Sequence, residues 1–170
     1  MKKTQVTKLV WVAAFAFSFF WLFLILLSPF LLSRDLFLSS LIYEFFSSIC
    51  HQVPSRCFHL SGFPMPVCTR CFGIYSGFFL GTFLYPKLKG WSSLSIPGIR
   101  VFAAFSLPVM IDTGGNFLFA WQTPGTIRFI IGILWGVLLP YYFIPGISEA
   151  VWMMKHRPRV KNKSKPNDSE

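Results

Sequence analysis

The chain has 170 residues, 54% of them hydrophobic and only 13% charged, with a formal net charge of +10. A soluble domain carries about a quarter charged residues, and a chain this short cannot enclose half its residues in one core. With 21 Phe, 6 Trp and a mean hydropathy of +0.56, the composition excludes a soluble globular domain. Outside the C-terminus it excludes disorder too. The expected class is an all-α membrane protein with one multi-pass domain over 1–154.

Leu9 to Ser33 is a 25-residue run without a charge or a histidine, and about 20 residues cross a ~30 Å hydrocarbon core. Lys2, Lys3 and Lys8 before it resemble the start of a signal peptide, but the run is too long and lacks a small-residue cleavage site. It reads as an uncleaved span over about 9–32. The next segment, 36–52, places Ser40, Glu44, Ser47, Ser48 and His51 on one stripe of an otherwise apolar helix. That pattern predicts an interfacial or re-entrant helix at the outer edge. A fifth span is the alternative, and it would put one of the basic termini outside. Further spans are expected over about 68–86, 101–121 and 129–148, the last kinked at Pro140. The total is four.

Twelve of the sixteen basic residues fall before span one, between spans two and three, or after span four. Cytoplasmic loops hold the Lys and Arg excess, so both termini are expected in the cytoplasm of a cell-membrane protein. The tail over 155–170 is basic and aperiodic, which predicts disorder and contact with anionic headgroups. No aromatic platform or motif supports nucleic-acid binding. Gly73, Gly77 and Gly81 recur at every fourth position, as do Gly132 and Gly136. Such stripes let helix backbones approach closely, within one chain or, less favoured here, in a homo-oligomer.

All four cysteines lie within 22 residues: Cys50, Cys57, Cys68 and Cys71. The topology puts this loop, 50–71, on the outer face. Cys68 and Cys71 form a Cys-x-x-Cys, whose sulfurs share a face at a helix start, where the helix dipole favours thiolate. Zinc takes four N or S ligands in a tetrahedron, and Cys50, His51, Cys68 and Cys71 are the candidate set. Adjacent ligands such as Cys50 and His51 are unusual, and Cys57 is the substitute for either. The same atoms suit redox chemistry, or two plain disulfides outside the cytoplasm. The layout is similar to that of quinone-linked thiol oxidases of bacterial membranes, although in those the second cysteine pair follows span three.

The run Cys50-His51-Gln52-x-Pro54-x-Arg56, followed by Pro66-Val67-Cys68-x-Arg70-Cys71-x-Gly73-Ile74-Tyr75-x-Gly77, resembles a family of small prokaryotic integral membrane proteins of unknown function. Leu107-Pro108 leading to Asp112, and Arg128 ahead of a Gly-containing span, fit the same pattern. The resemblance covers roughly 40–140. It implies a bacterial or archaeal membrane location and no defined reaction. The family usually has Ser in place of Cys57, which leaves three cysteines and one histidine and favours a metal over two disulfides.

Asp112 is expected about midway along span three, with Asn116 one turn further on the same face. A carboxylate in a span faces a partner or a cavity. Arg128, at the outer end of span four, and Arg56, Arg70 and His51, from the cysteine loop, can converge with Asp112 and Asn116 on a polar outer-leaflet pocket. An Asp112–Arg pair that pins two helices and a substrate or proton role carry even weight. Tyr75, four residues after Cys71, is either a ligand contact or an interfacial anchor. Asp112, Arg70 and Tyr75 are the catalytic candidates if the protein is an enzyme, a point the sequence leaves open. Nucleotide loops, hydrolase elbows and His-Glu-x-x-His motifs are missing. Three readings follow: a zinc-like site beside a polar pocket; a thiol–disulfide oxidoreductase using Cys68 and Cys71, with Arg70 favouring thiolate and a quinone as acceptor; and a scaffold with disulfides only. The first is weighted about twice either alternative.

Overall fold

The structure, a computed structural model, describes residues 3–34, 36–91, 95–119 and 121–156. The basic tail from residue 157 onward lies outside the described residues, as does Lys2. In chain order the elements are α1 (Lys3–Leu32), α2 (Phe37–Ser47), a 3-10 turn (Pro54–Arg56), strands β1 (Cys57–Leu60) and β2 (Phe63–Cys68), then α3 (Thr69–Lys89), α4 (Ile99–Leu118), α5 (Gly125–Leu138) and α6 (Pro140–Lys155).

Among the described residues, three helices are long and apolar enough to cross a membrane: α1, α4 and the continuous α5–α6 unit, Gly125–Lys155. The expected span at 68–86 is present as α3 but does not join them. Its glycines, Thr, Ser and Tyr dilute its apolar character, and Lys87 and Lys89 charge its last turn. The α5–α6 unit has its irregular turn at Leu139, where Pro140 withholds one N–H from the ladder. Span three stops earlier than expected, at Leu118; beyond it the Trp121 N–H folds back onto the Gly115 carbonyl.

The helix α2 has 11 residues, about 16 Å at 1.5 Å per residue, too short for a fifth span. It has three faces. Ser39, Ile42 and Phe46 are buried; Leu38, Leu41 and Phe45 are exposed and apolar; Ser40, Glu44 and Ser47 are exposed and polar. A helix with core, lipid and water each on one side suits the edge of a bilayer.

The close-packed pair is α3 and α5, which run parallel. A methyl group at Gly73 would strike the Phe129 carbonyl, one at Gly77 the Ile133 carbonyl, and one at Gly136 the Ile74 carbonyl. Both glycine stripes therefore pack against each other within one chain. Helix α1 packs on α3 and α6, and Trp11 Nε1 donates to the Thr82 carbonyl at 2.7 Å. At the same end Lys3 meets Glu149 at 3.5 Å, and Lys8 lies over the Trp91 ring. The buried core sits at the opposite end, where Ile25, Ile42, Phe46, Cys50 and Val67 pack together.

The segment expected as a loop between the cysteine pairs contains an antiparallel hairpin. Ser61 and Gly62 form its two-residue turn, both at positive φ (53° and 84°), the geometry that matches the twist of paired strands. Pro64 and Pro66 disguise β2 in the sequence, because proline normally argues against a strand. The hairpin hands the chain to α3 at Cys68, the N-cap.

Candidate metal centre and polar pocket

Three separate elements deliver the cysteines. Cys50 follows α2, Cys68 ends β2 and caps α3, and Cys71 lies in the first turn of α3. Their sulfurs lie within 4.8 Å of one another. Zinc at about 2.3 Å from each sulfur of a tetrahedron sets S···S separations near 3.8 Å, so about 1 Å of side-chain adjustment closes the triad on an ion. Cys50 is buried and the other two half-buried. Gln52, at φ 48°, donates from Nε2 to the Tyr43 carbonyl at 2.7 Å, and the Tyr43 hydroxyl donates to the Pro64 carbonyl. These bonds tie the Cys50 loop to α2 and to the hairpin.

The Cys68 N–H donates to Cys50 Sγ at 3.2 Å. Hydrogen bonds from the Cys68 and Cys71 thiols, helped by that N–H, hold the Cys50 sulfur far below the ordinary thiol range despite its burial. All four cysteines are free thiols. Cys57, opposite Cys68 in the sheet register, is buried and outside the triad. Its thiol donates to the Val53 carbonyl, and burial, with Cys68 and Cys50 nearby, pushes its pKa up to about 12.

The expected ligand His51 is exposed and is not in the converging group. The chain has left α2 at this point and adopts no regular structure over 50–53, so neighbouring side chains share no face. With Cys50 turned into the core, His51 faces out. Tyr75 lies one turn beyond Cys71, in edge contact with Trp21 and packed against the buried core.

The polar residues converge at the same end. Asp112 lies six residues before the end of α4, not midway, and its side chain is 4% exposed. It pairs with Arg70, which also donates to Thr113 at 3.1 Å. Thr123 donates to Asp112 at 2.6 Å, Asn116 Nδ2 at 3.0 Å, and Arg128 donates to Asn116 Oδ1. Arg70 thus turns its guanidinium to α4. Arg56 and Arg70 add like charge around Arg128, and Asp112 adds opposite charge. Thr113 and Thr123 had no sequence signal: a threonine near a helix end marks nothing until the partner helix is known. A groove of about 420 Å³ between α4 and α5 has Asp112 and Thr123 in its wall.

Residues 50–142 match the family described as "Predicted membrane protein (DUF2085)". An uncharacterised protein of Methanocaldococcus jannaschii is 33% identical over 116 residues, covering 68% of this chain and 74% of the relative. Another, from Methanothermobacter thermautotrophicus, is 32% identical over 114 residues, covering 65% of this chain and 91% of the relative. No solved structure matches. The matched stretch opens at Cys50, runs through the hairpin and the glycine-packed helices, and includes the whole polar network, so the chain belongs to the DUF2085 family of predicted membrane proteins.

Proposed function

We propose that this is a multi-pass membrane protein that holds a zinc-like metal ion on Cys50, Cys68 and Cys71 at the outer bilayer surface, beside the Asp112 pocket. The observation that carries the reading is the convergence of three thiols from three elements. Residues brought together from 18 positions apart form a chelate that folding assembles, and ligand binding would stabilise that fold in turn. With His51 turned out, three protein ligands leave the fourth position for water or a substrate oxygen, the pattern of a reactive site rather than a closed structural one. X-ray absorption at the zinc edge tests this: three sulfurs and one light atom are expected, and four sulfurs or an all-oxygen shell would contradict it.

The four-span topology belongs to the same reading. Packed along α5, α3 spans the bilayer as its fourth crossing, with α2 on the outer surface. The end bearing Lys3, Lys8, Lys87, Lys89 and Lys155 faces the cytoplasm. Thiol labelling of intact cells with an impermeant reagent tests the side on which Cys68 lies.

The oxidoreductase reading draws on the free Cys68 and Cys71 thiols at the start of α3. In it the dithiol gives two electrons and two protons to a quinone and closes as a disulfide. A metal-free protein whose Cys68–Cys71 disulfide forms on adding quinone would favour it over zinc.

A further inference from the structure

Around Arg128, at the outer end of the bundle, the described residues place more positive charge than Asp112 balances. Arg128 is 7% exposed, and its Nε is buried without a hydrogen-bond partner; the same holds for Arg70 Nε and Thr69 Oγ1. Asp112 already accepts from Arg70, Thr123 and Asn116. Arg56, exposed on the 3-10 turn, adds its positive charge to the field at Arg128. Arg70 and Arg128 thus share one carboxylate, and Arg56 adds a third positive charge near Arg128. A divalent ion on three thiolates contributes one further negative charge, and one positive charge is still unmatched. An unpaired buried charge is costly at a membrane edge.

Backbone adds to the same potential. Helices α3 and α5 are parallel, and both begin here: a methyl group at Gly125 would touch Thr69 at 3.3 Å. Two helix N-termini side by side bring two positive dipole ends to one place, which disfavours the bare pair and favours an anion. Arginines on three different elements, a turn, α3 and α5, suit a tetrahedral oxyanion better than a planar carboxylate.

We propose that a phosphate group, either free or on a lipid headgroup, binds among Arg56, Arg70 and Arg128 next to the cysteine triad. The site rests on the arginines and the helix ends, so it stands apart from the metal.

The test uses the full chain in phosphatidylcholine nanodiscs, with inorganic phosphate in one arm and phosphatidic acid in the bilayer in the other. Binding is read by native mass spectrometry and thermal shift, with zinc measured in each sample. Wild type should bind one of the two probes. Arg56→Gln, a change at an exposed residue, should weaken that binding roughly tenfold, the scale of one charge-assisted contact, and Arg128→Gln by at least as much. The arm that responds identifies the source. No binding of either probe, or equal binding by wild type and Arg56→Gln, overturns the proposal. Arginine-dependent binding in a zinc-free sample supports it and removes only the metal reading.

Discussion

Substituting Gly77 with alanine tests the α3–α5 contact that aligns the two helix starts at the site. A Cβ there would lie 2.9 Å from Val137 N and 3.0 Å from Gly136 Cα, where ordinary contact begins at 3.4 Å, and it would also strike the Ile133 carbonyl. Every obstacle is backbone, so no rotamer change relieves it. The helices must part by about 0.5 Å or more, and a gap of that size forfeits a quarter to a half of each van der Waals contact along the seam. The expected cost is about 1–3 kcal/mol, the usual range for overpacking. Gly114→Ala is the control: nothing lies within 4 Å of its Cβ position, and alanine is the better helix former by about 1 kcal/mol. Unfolding in mixed micelles, followed by circular dichroism, measures both. Equal stability of Gly77→Ala and Gly114→Ala would refute the packing argument.

Asp112→Asn should destabilise by about 3–5 kcal/mol, because it strands Arg70 and Arg128 without their carboxylate; the melting temperature in detergent reads this, and Arg70→Met added to Asp112→Leu should recover part of the loss. Zinc binding near neutral pH should release protons, since thiols must lose theirs to bind the metal; calorimetry in buffers of different ionisation enthalpy counts them, and no release would contradict thiolate ligation. As pH falls, proton competition for the thiolates should release the metal, and raising the pH should restore it. His51→Ala should keep its metal, as judged by elemental analysis, because the ring stands outside the triad.

The sequence was most legible where one element carries its own signal. The spacing of Asp112 and Asn116 marks one helix face, and their hydrogen bond is present at 3.0 Å. The Cys-x-x-Cys at a helix start is there as read, and the two glycine stripes met each other. What the sequence withheld was the identity of partners. Periodicity describes which face of a helix is special and not which element covers it, so Thr123 on Asp112 and the turn of Arg70 toward α4 were out of reach. The hairpin was hidden by Pro64 and Pro66, although Ser61-Gly62 was a turn signal in plain view. Only its place beside Cys50 marks His51 in the sequence, and adjacency is a poor guide where the backbone leaves a helix. Asp112 lies nearer the helix end than the charge-free run to Trp121 implies, because α4 stops at Leu118.

Zinc stoichiometry across a short cysteine series bears most directly on the triad. Protein purified without chelator should carry about one zinc per chain. Cys57→Ser should retain it, since that thiol bonds to the Val53 carbonyl. Cys50→Ser, Cys68→Ser and Cys71→Ser should each lose it while the protein remains folded by circular dichroism. Metal-free wild type with its thiols oxidised, or full zinc occupancy in Cys50→Ser, would contradict the account.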